Sequence, residues 1–168
     1  MQNGLGVREA ESADLPAIDQ VHHDAGLLRG DHAQLEAAIA DPGRFVVVAE
    51  VGGQMAGWAK THYWSDGDGV APAGHYLGGL TVASALRRGG IGSALTQARL
   101  EWIWQQAPEA WYVTNARNHA SIALHRRYGF EEVARASRFH TTTFAGGLGI
   151  LWRATPWSPA QVQYSRNT

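Results

Sequence analysis

The stretch LRRGGIGSAL, residues 86–95, carries the strongest signal for the fold and for a ligand. Two arginines run into three glycines, and apolar residues at helical spacing follow at once. The segment therefore predicts a turn from a strand into a helix. Glycines let the backbone approach a ligand closely, and the first N–H groups of a helix attract an anion. Two interpretations are open: a plain turn with two solvated arginines, or a phosphate-binding loop, named here the Arg-Gly loop (residues 87–93).

Two other glycine-rich phosphate motifs do not fit this segment. A P-loop requires Lys followed by Ser or Thr after its last glycine, whereas Ser-Ala follows here. A dinucleotide-binding fingerprint needs a third small residue where Leu95 stands, and the acidic residue that should close its second strand is missing. Arg87 and Arg88 favour phosphate binding, because guanidinium groups match the geometry of phosphate oxygens.

Around this loop the sequence alternates between predicted strands and helices in a mixed order, which indicates an α/β fold, or an α+β fold with a mostly antiparallel sheet. Turn and cap residues mark the element ends. The predicted strands are residues 7–10, a hairpin over 44–64 with a Gly-Gly turn, 75–82, 111–114, 130–134 and 149–152. The predicted helices run from Ser12 or Asp14 to about Gly26, from Asp31 to Asp41, from Gly90 to Pro108, and from Asn118 to Gly129.

Composition limits the classes of function. The 168 residues fit one domain, predicted over residues 1–154 and followed by a polar tail over 155–168. A formal net charge of -1 disfavours a nucleic-acid partner. The chain has no cysteine, which excludes a cysteine acyl-enzyme. Without a signal-peptide pattern or a membrane-length apolar run, we expect a cytoplasmic protein with no membrane partner.

Two motifs together resemble a known family. Arg87 to Gly92 resembles the (Gln/Arg)-x-x-Gly-x-(Gly/Ala) signature of the GNAT N-acetyltransferase superfamily, and Leu80 to Val82 stands where that family's strand leads into it. The segment NHASIALHRRYGFEEV, residues 118–133, resembles the family's next motif, an Asn-headed helix that ends in Gly-Phe and a strand. The two motifs occur in the family's order and separation.

The resemblance implies a GNAT-like mixed, mostly antiparallel sheet that is splayed after the fourth strand and flanked by about four helices. It also implies acetyl-CoA as co-substrate, with the backbone of Leu80 and Val82 paired to the pantetheine arm like an extra strand. Residues of the Arg-Gly loop would hold the pyrophosphate, and residues of the Asn-headed helix would lie along the pantetheine. The implied cofactor-binding residues are Leu80, Thr81, Val82, Arg87, Arg88, Gly89, Gly90, Ile91, Gly92, Ser93, Asn118 and Ser121.

Acyl transfer to an amine needs a proton for the departing thiolate. Family members commonly place a Tyr at the eighth position of the Asn-headed motif, where this chain has His125. On one continuous helix, Ser121, His125 and Tyr128 would share a face. His125 is therefore the predicted proton donor, with Tyr128 or water as alternatives. The other interpretation is a histidine that only packs beneath the cofactor.

The base that neutralises the acceptor amine stays open. Many relatives place a carboxylate in the strand ahead of the Arg-Gly loop, but Gly78 and Gly79 stand there. These glycines indicate a bulge or a close approach of substrate. His75, His62, Asp24 and ordered water are the alternatives for the base.

Other aromatic and histidine residues give weaker signals. Trp64, beside Tyr63 and a loop with two aspartates, could receive a cationic amine or simply border a solvated loop. The predicted substrate-lining set is Trp64, His75, Gly78 and Gly79. The adjacent His22 and His23 point in different directions on a helix, and metal-ligand spacing is missing, so we expect no metal.

The leading hypothesis is an N-acetyltransferase that moves an acetyl group from acetyl-CoA to a primary amine by direct attack in a ternary complex. A small-molecule acceptor is preferred over a protein N-terminus, because the sequence shows no charged peptide-binding segment. The alternative is a non-catalytic acyl-CoA-binding sensor, which Gly78, Gly79 and His125 favour. A homodimer is a further option that the sequence leaves open.

Overall fold

The computed structural model describes residues 4–27 and 31–156, and within them nine strands and four α-helices. Short 3-10 turns, Ser12–Asp14 and Ser84–Leu86, precede the first and third helices. The strands are β1 (Leu5–Glu9), β2 (Val46–Val51), β3 (Gln54–Trp64), β4 (Gly74–Val82), β5 (Ala110–Asn115), β6 (Glu131–Ala136), β7 (Arg138–Phe139), β8 (Thr142–Thr143) and β9 (Gly149–Ala154). The helices are α1 (Leu15–Asp24), α2 (His32–Ala40), α3 (Ile91–Trp104) and α4 (His119–Arg126).

Seven of the described strands form one sheet in the order β1, β2, β3, β4, β5, β9, β6. The pairs β1–β2, β2–β3, β5–β9 and β6–β9 are antiparallel. β4 and β5 are parallel, with Tyr76 opposite Trp111 and Leu77 opposite Tyr112. The ladder between β4 and β5 is short, with these two residue pairs between strands of nine and six residues. The predicted fold class is confirmed.

The described residues cluster into two compact units. The first unit comprises residues up to 62 together with 78–102, and the second comprises residues 63–77 together with those from 103 onward. The prediction of one domain over residues 1–154 stays a prediction. Of the predicted tail, residues 157–168 lie outside the described residues. None of the described helices is both long and apolar enough to cross a membrane.

In the first unit, strand β2 is covered on both faces. Alternate side chains of a strand point to opposite faces, so a strand between two layers reads as a continuous apolar run. Val46 and Val48 pack in a core with Ile18 of α1. Val47 packs in the opposite core with Leu95 of α3. The predicted hairpin is confirmed, and its turn glycines, Gly52 and Gly53, have φ of 59° and 79°.

In the second unit, β5 and β6 flank β9, and Tyr76, Trp111, Phe139 and Leu151 form part of the core. The predicted strands and the Asn118-capped helix of this region are confirmed within a few residues at their ends. The short hairpin of β7 and β8 was not predicted, because its polar sequence lacks an alternating apolar pattern.

Candidate active site

The Arg-Gly loop lies between β4 and α3 of the first unit, as the sequence predicts. The 3-10 turn Ser84–Leu86 follows β4, and the chain then enters α3 at Ile91. Gly90 has φ of 79°, which glycine adopts without strain. Arg88 also has a positive φ, 68°, a conformation that the sequence analysis had not assigned to it. The N–H of Ala94 makes the first helical hydrogen bond, 3.0 Å to the carbonyl of Gly90.

This arrangement can bind an anion. The N–H groups of residues 91–93 precede the first hydrogen bond of α3, and a helix of 14 residues places the positive end of its dipole there. Arg87 and Arg88 are exposed, and within the described part of the chain no carboxylate forms an ion pair with either guanidinium. Permanent positive charge beside a helix N-terminus suits the oxygens of a phosphate or pyrophosphate.

Gly57 of β3 holds this segment close to the sheet. A Cβ atom at Gly57 would lie 2.9 Å from the carbonyl oxygen of Thr81 and 3.2 Å from Cγ2 of Ile91. No side chain larger than hydrogen fits such a space without moving the backbone. Gly57 therefore lets the end of β4 and the start of α3 pack directly against β3.

Gly78 and Gly79 of β4 lie beside the side chain of Lys60. A Cβ atom at Gly78 would be 3.0 Å from Cγ of Lys60 and 3.2 Å from its carbonyl oxygen. At Gly79 the nearest atom would be Cε of Lys60, at 4.0 Å. Packing against Lys60 is therefore the physical reason for glycine at position 78, whereas Gly79 is exposed and keeps open space above it.

Arg99 of α3 binds the backbone of β3 and β4 at Lys60 and Gly78. Its side chain is fully buried, and Nη1 donates to the carbonyl oxygens of Lys60 at 3.1 Å and Gly78 at 3.2 Å. Its Nε donates to the carbonyl of Leu95, and its Nη2 donates to Oγ1 of Thr96. A buried guanidinium is tolerated only where its N–H groups find acceptors, so Arg99 ties α3 to β3 and β4.

In the second unit, Asn118 caps helix α4 as predicted. Its Oδ1 accepts a hydrogen bond from the backbone N–H of Ser121 at 3.2 Å. The helix ends at Arg126, earlier than the predicted end near Gly129. Tyr128 lies in the following turn, where its N–H donates to the carbonyl of His125 at 2.9 Å. Tyr128 therefore lies beyond the end of the helix, and the shared face of Ser121, His125 and Tyr128 stays a prediction.

His125 is buried in a cluster of aromatic and hydroxyl groups. Its ring stacks on Tyr112 with centroids 3.8 Å apart and planes 9° apart, and the edge of Phe130 lies 5.6 Å away between centroids. Its Nδ1 is 2.7 Å from the carbonyl oxygen of Ser121. A carbonyl oxygen only accepts, so Nδ1 carries the proton, and Nε2 carries one only in the imidazolium form. The hydroxyls of Tyr112 and Ser121 are hydrogen-bonded to each other.

The residues considered for the base have different surroundings. His75 is buried beside the ring of Tyr63, with centroids 4.8 Å apart, and burial lowers its pKa. Asp24 is exposed, and its Oδ1 accepts from Gln20 at 2.9 Å. His62 is half-buried in β3. Of these side chains, His75 is the one whose surroundings favour the neutral, proton-accepting form near neutral pH.

Trp64 is engaged within the second unit. Its ring stacks on His140, with centroids 4.2 Å and planes 4° apart. Asp68, one of the two loop carboxylates expected near a cationic amine, pairs with Arg138 at 2.9 Å. Tyr76 donates from its hydroxyl to the carbonyl of Pro72 at 2.7 Å, and burial raises its pKa. His140 therefore covers one face of Trp64, and the charge of Arg138 balances that of Asp68. Both contacts weaken the interpretation that this loop binds a cationic amine.

A metal-binding group or a cavity among the described residues could also hold a ligand. No group of three or more histidine and acidic side chains among them is arranged to hold a metal ion. An open cavity of about 420 Å³ lies in the first unit, on the α1 and α2 side, and none of the predicted site residues lines it. Its lining residues are Pro16, Asp19, Gln20, His23, Leu27 and His32.

Three residues that contact predicted site residues were not found from the sequence: Tyr112, Arg99 and Lys60. Tyr112 lies within the predicted apolar strand 111–114 and was not singled out, although a strand tyrosine also carries a hydroxyl that needs a partner. Arg99 falls on the buried side of α3, where a charged residue in an apolar helix pattern is itself a signal. Lys60 could have been found by counting, since it is the chain's only lysine.

Comparisons with known proteins agree with this geometry. The sequence model described as the Acetyltransferase (GNAT) family matches residues 7–130. No curated protein sequence gives a significant match. Among solved structures, the ribosomal-protein-alanine N-acetyltransferase from Brucella melitensis is 30% identical, with a TM-score of 0.72 over 90% of this chain and 99% of that chain.

Two further structures share the fold at lower identity. The yncA protein from Salmonella typhimurium, solved with its cofactor acetyl-CoA, is 20% identical, with a TM-score of 0.72 over 91% of this chain and 94% of that one. A phosphinothricin acetyltransferase from Sinorhizobium meliloti, in complex with AcCoA, is 19% identical, with a TM-score of 0.70 over 90% of this chain and 88% of that one. The family match covers well over half of the chain, including the Arg-Gly loop and the Asn-headed motif as far as Phe130, so this protein belongs to the Acetyltransferase (GNAT) family.

Proposed function

We propose that the protein is an acetyl-CoA-dependent N-acetyltransferase that moves the acetyl group to a primary amine by direct attack. The observation that carries the proposal is the Arg-Gly loop, where the start of a long helix and two exposed arginines without carboxylate partners among the described residues make an anion site. Membership of the acetyltransferase family supplies the identity of the ligand. A chain without cysteine has no thiol to carry the acetyl group, which favours direct attack.

The cofactor-binding roles follow from the family motifs. The Arg-Gly loop holds the pyrophosphate through backbone N–H groups and the guanidinium groups of Arg87 and Arg88. The backbone of Leu80, Thr81 and Val82 runs beside the pantetheine arm, with Leu80 and Val82 pairing to its amides. Asn118 and Ser121 are assigned to the pantetheine by the same resemblance. Support for Ser121 is weaker, because its hydroxyl already bonds to Tyr112.

His125 is the proposed donor of the proton to the departing thiolate. Because the carbonyl of Ser121 accepts from Nδ1, the transferable proton sits on Nε2 of the imidazolium form. Tyr128, which lies outside the helix, is the alternative donor. His75 is the proposed base for the acceptor amine, because its burial keeps the imidazole neutral.

The acceptor is proposed to be a primary amine on a small molecule. A specific observation favours a second candidate: the solved structure at 30% identity is named as a ribosomal-protein-alanine N-acetyltransferase, so a peptide with N-terminal alanine belongs in the assay. Release of free coenzyme A is measured with both kinds of acceptor. Turnover of peptides alone would move the proposal to the second candidate.

Binding is tested by the shift in melting temperature with acetyl-CoA. We expect a clear stabilisation of the wild-type protein. The Arg87→Gln variant should bind roughly 10-fold to 100-fold more weakly, because a charge-assisted hydrogen bond to phosphate contributes about 1.5–3 kcal/mol. Arg135→Gln is the matched control, since Arg135 is also exposed and pairs with Glu132 in β6. No shift at saturating acetyl-CoA would refute the proposal, and binding without turnover on a broad panel would support the sensor.

A further inference from the structure

Lys60 is the chain's only lysine, although lysine and arginine together number 14. It stands in β3 and is half-buried. All the other residues in that count are arginine, so Lys60 supplies the chain's only side-chain primary amine. Unlike guanidinium, an amine loses its proton readily when it is desolvated, and the neutral amine is a nucleophile.

The side chain of Lys60 follows β4. Its Cγ lies against Gly78, where a Cβ atom would be only 3.0 Å away, and its Cε would lie 3.5 Å from that Cβ atom and 4.0 Å from one at Gly79. The stem therefore extends along the two glycines, which leave room for it. Substituting Gly78 by any larger residue would displace the lysine stem or the strand.

The electrostatic surroundings disfavour a charged ammonium at Lys60. Within residues 4–27 and 31–156, no carboxylate pairs with it. Burial and the nearby Arg44 lower the pKa of Lys60. The guanidinium of the buried Arg99 donates to the backbone carbonyl of Lys60. All these residues belong to the first unit.

The next step rests on the proposed function. If the Arg-Gly loop holds the pyrophosphate and Val82 and Leu80 pair with the pantetheine arm, the arm runs from the end of β4 toward its start. Continuing past Leu80 by one or two residues, at about 3.3 Å each, brings the acyl end beside Gly79 and Gly78. Lys60 is the amine that the fold supplies at that point.

We propose that Lys60 is an acyl-acceptor site, at which the protein transfers the acetyl group of bound acetyl-CoA to its own Nζ. The lone pair of neutral Nζ attacks the thioester carbonyl, a C–N bond forms and the C–S bond breaks. Nζ loses one proton, and the departing coenzyme A thiolate takes up one. The product is an uncharged amide, which suits a half-buried position where burial and Arg44 disfavour an ammonium.

The test uses the wild-type chain, incubated with acetyl-CoA and no other acceptor. Intact mass and peptide mapping locate the acetyl group, and the α-amino group of the chain is the internal reference. We expect acetylation of Lys60 that saturates with acetyl-CoA and is faster than that of the reference amine. Lys60→Arg should abolish it, and Arg87→Gln should slow it about 10-fold at subsaturating acetyl-CoA, as binding weakens.

Three results would overturn the proposal. Acetyl-CoA that shifts the melting temperature but leaves Lys60 unmodified would refute self-acetylation and leave the proposed function standing. Acetylation of Lys60 whose rate does not saturate with acetyl-CoA, or equals the rate at the reference amine, would identify plain chemical acetylation by free acetyl-CoA. Unmodified Lys60 whose replacement by Arg slows turnover of an added amine would instead assign it to the handling of that substrate. Absence of any melting shift, by contrast, would refute the proposed function itself.

Discussion

The groups with proposed roles in the two compact units differ in kind and in burial. In the first unit, Arg87 and Arg88 are exposed at the start of α3, beside backbone N–H groups. In the second unit, three histidines are buried and each contacts an aromatic ring: His75 with Tyr63, His125 with Tyr112, and His140 with Trp64.

This difference separates binding from proton transfer. A guanidinium keeps its charge at any physiological pH, so exposed arginines suit a ligand that is always anionic. A histidine changes charge near neutral pH, and burial beside an aromatic ring controls which form is present. Variants of the first unit should therefore change the affinity for acetyl-CoA, whereas variants of the second should change kcat or its dependence on pH.

The largest effect is expected at His125. Replacing it by Gln should lower kcat by about 100-fold or more, because a positioned proton donor contributes roughly 10²-fold to 10⁴-fold, while the Kd for acetyl-CoA stays unchanged. Steady-state kinetics at saturating acetyl-CoA and a binding titration measure the two quantities. His140→Gln is the matched control, since His140 is equally buried and also stacked on an aromatic ring. A kcat near that of wild type in His125→Gln would reduce His125 to a packing role.

A smaller effect is expected at Gly90, where φ is 79°. Gly90→Ala should destabilise the protein by about 1 kcal/mol, because a side chain strains the left-handed conformation, and a shifted loop should weaken acetyl-CoA binding about 10-fold. Gly26→Ala is the matched control, since Gly26 has φ of 73° and equally open space around it. Urea unfolding should give similar losses for both variants, with the affinity lowered only in Gly90→Ala. Equal affinities would show that the loop backbone does not contact the ligand.

The smallest effect concerns His75 and pH. Burial lowers the pKa of His75 in the folded chain, so the unfolded chain binds its proton more readily. The folded state is therefore unaffected well above the ordinary histidine pKa and loses stability as the pH falls through the lowered one. His75→Gln should remove this loss, so wild type should lose more unfolding free energy than the variant between about pH 7 and about pH 5. His23→Gln, at an exposed position, controls for the loss of a histidine, and parallel curves for wild type and His75→Gln would contradict the prediction.

Local chemistry made much of the fold predictable. The Gly52-Gly53 turn, the Asp31 and Asn118 caps and the entry into α3 each depend on residues within a few positions of one another. The end of α4 was misplaced because a local turn, in which Gly129 N–H donates to the carbonyl of Arg126, follows the regular helix. The hairpin of β7 and β8 was missed because Arg138–Phe139 and Thr142–Thr143 show no alternating apolar pattern.

The sequence by itself determined the family, the sheet with its helices, and the loop in which two arginines precede the start of a helix. These features arise from backbone conformation and neighbouring side chains, which short motifs encode. Only the tertiary structure decided that His125 stacks on Tyr112, that Arg99 joins α3 to two strands, and that the single lysine lies along Gly78 and Gly79. Those contacts join residues from separate strands and helices, and a side chain's protonation and reactivity depend on such neighbours rather than on its position in the chain.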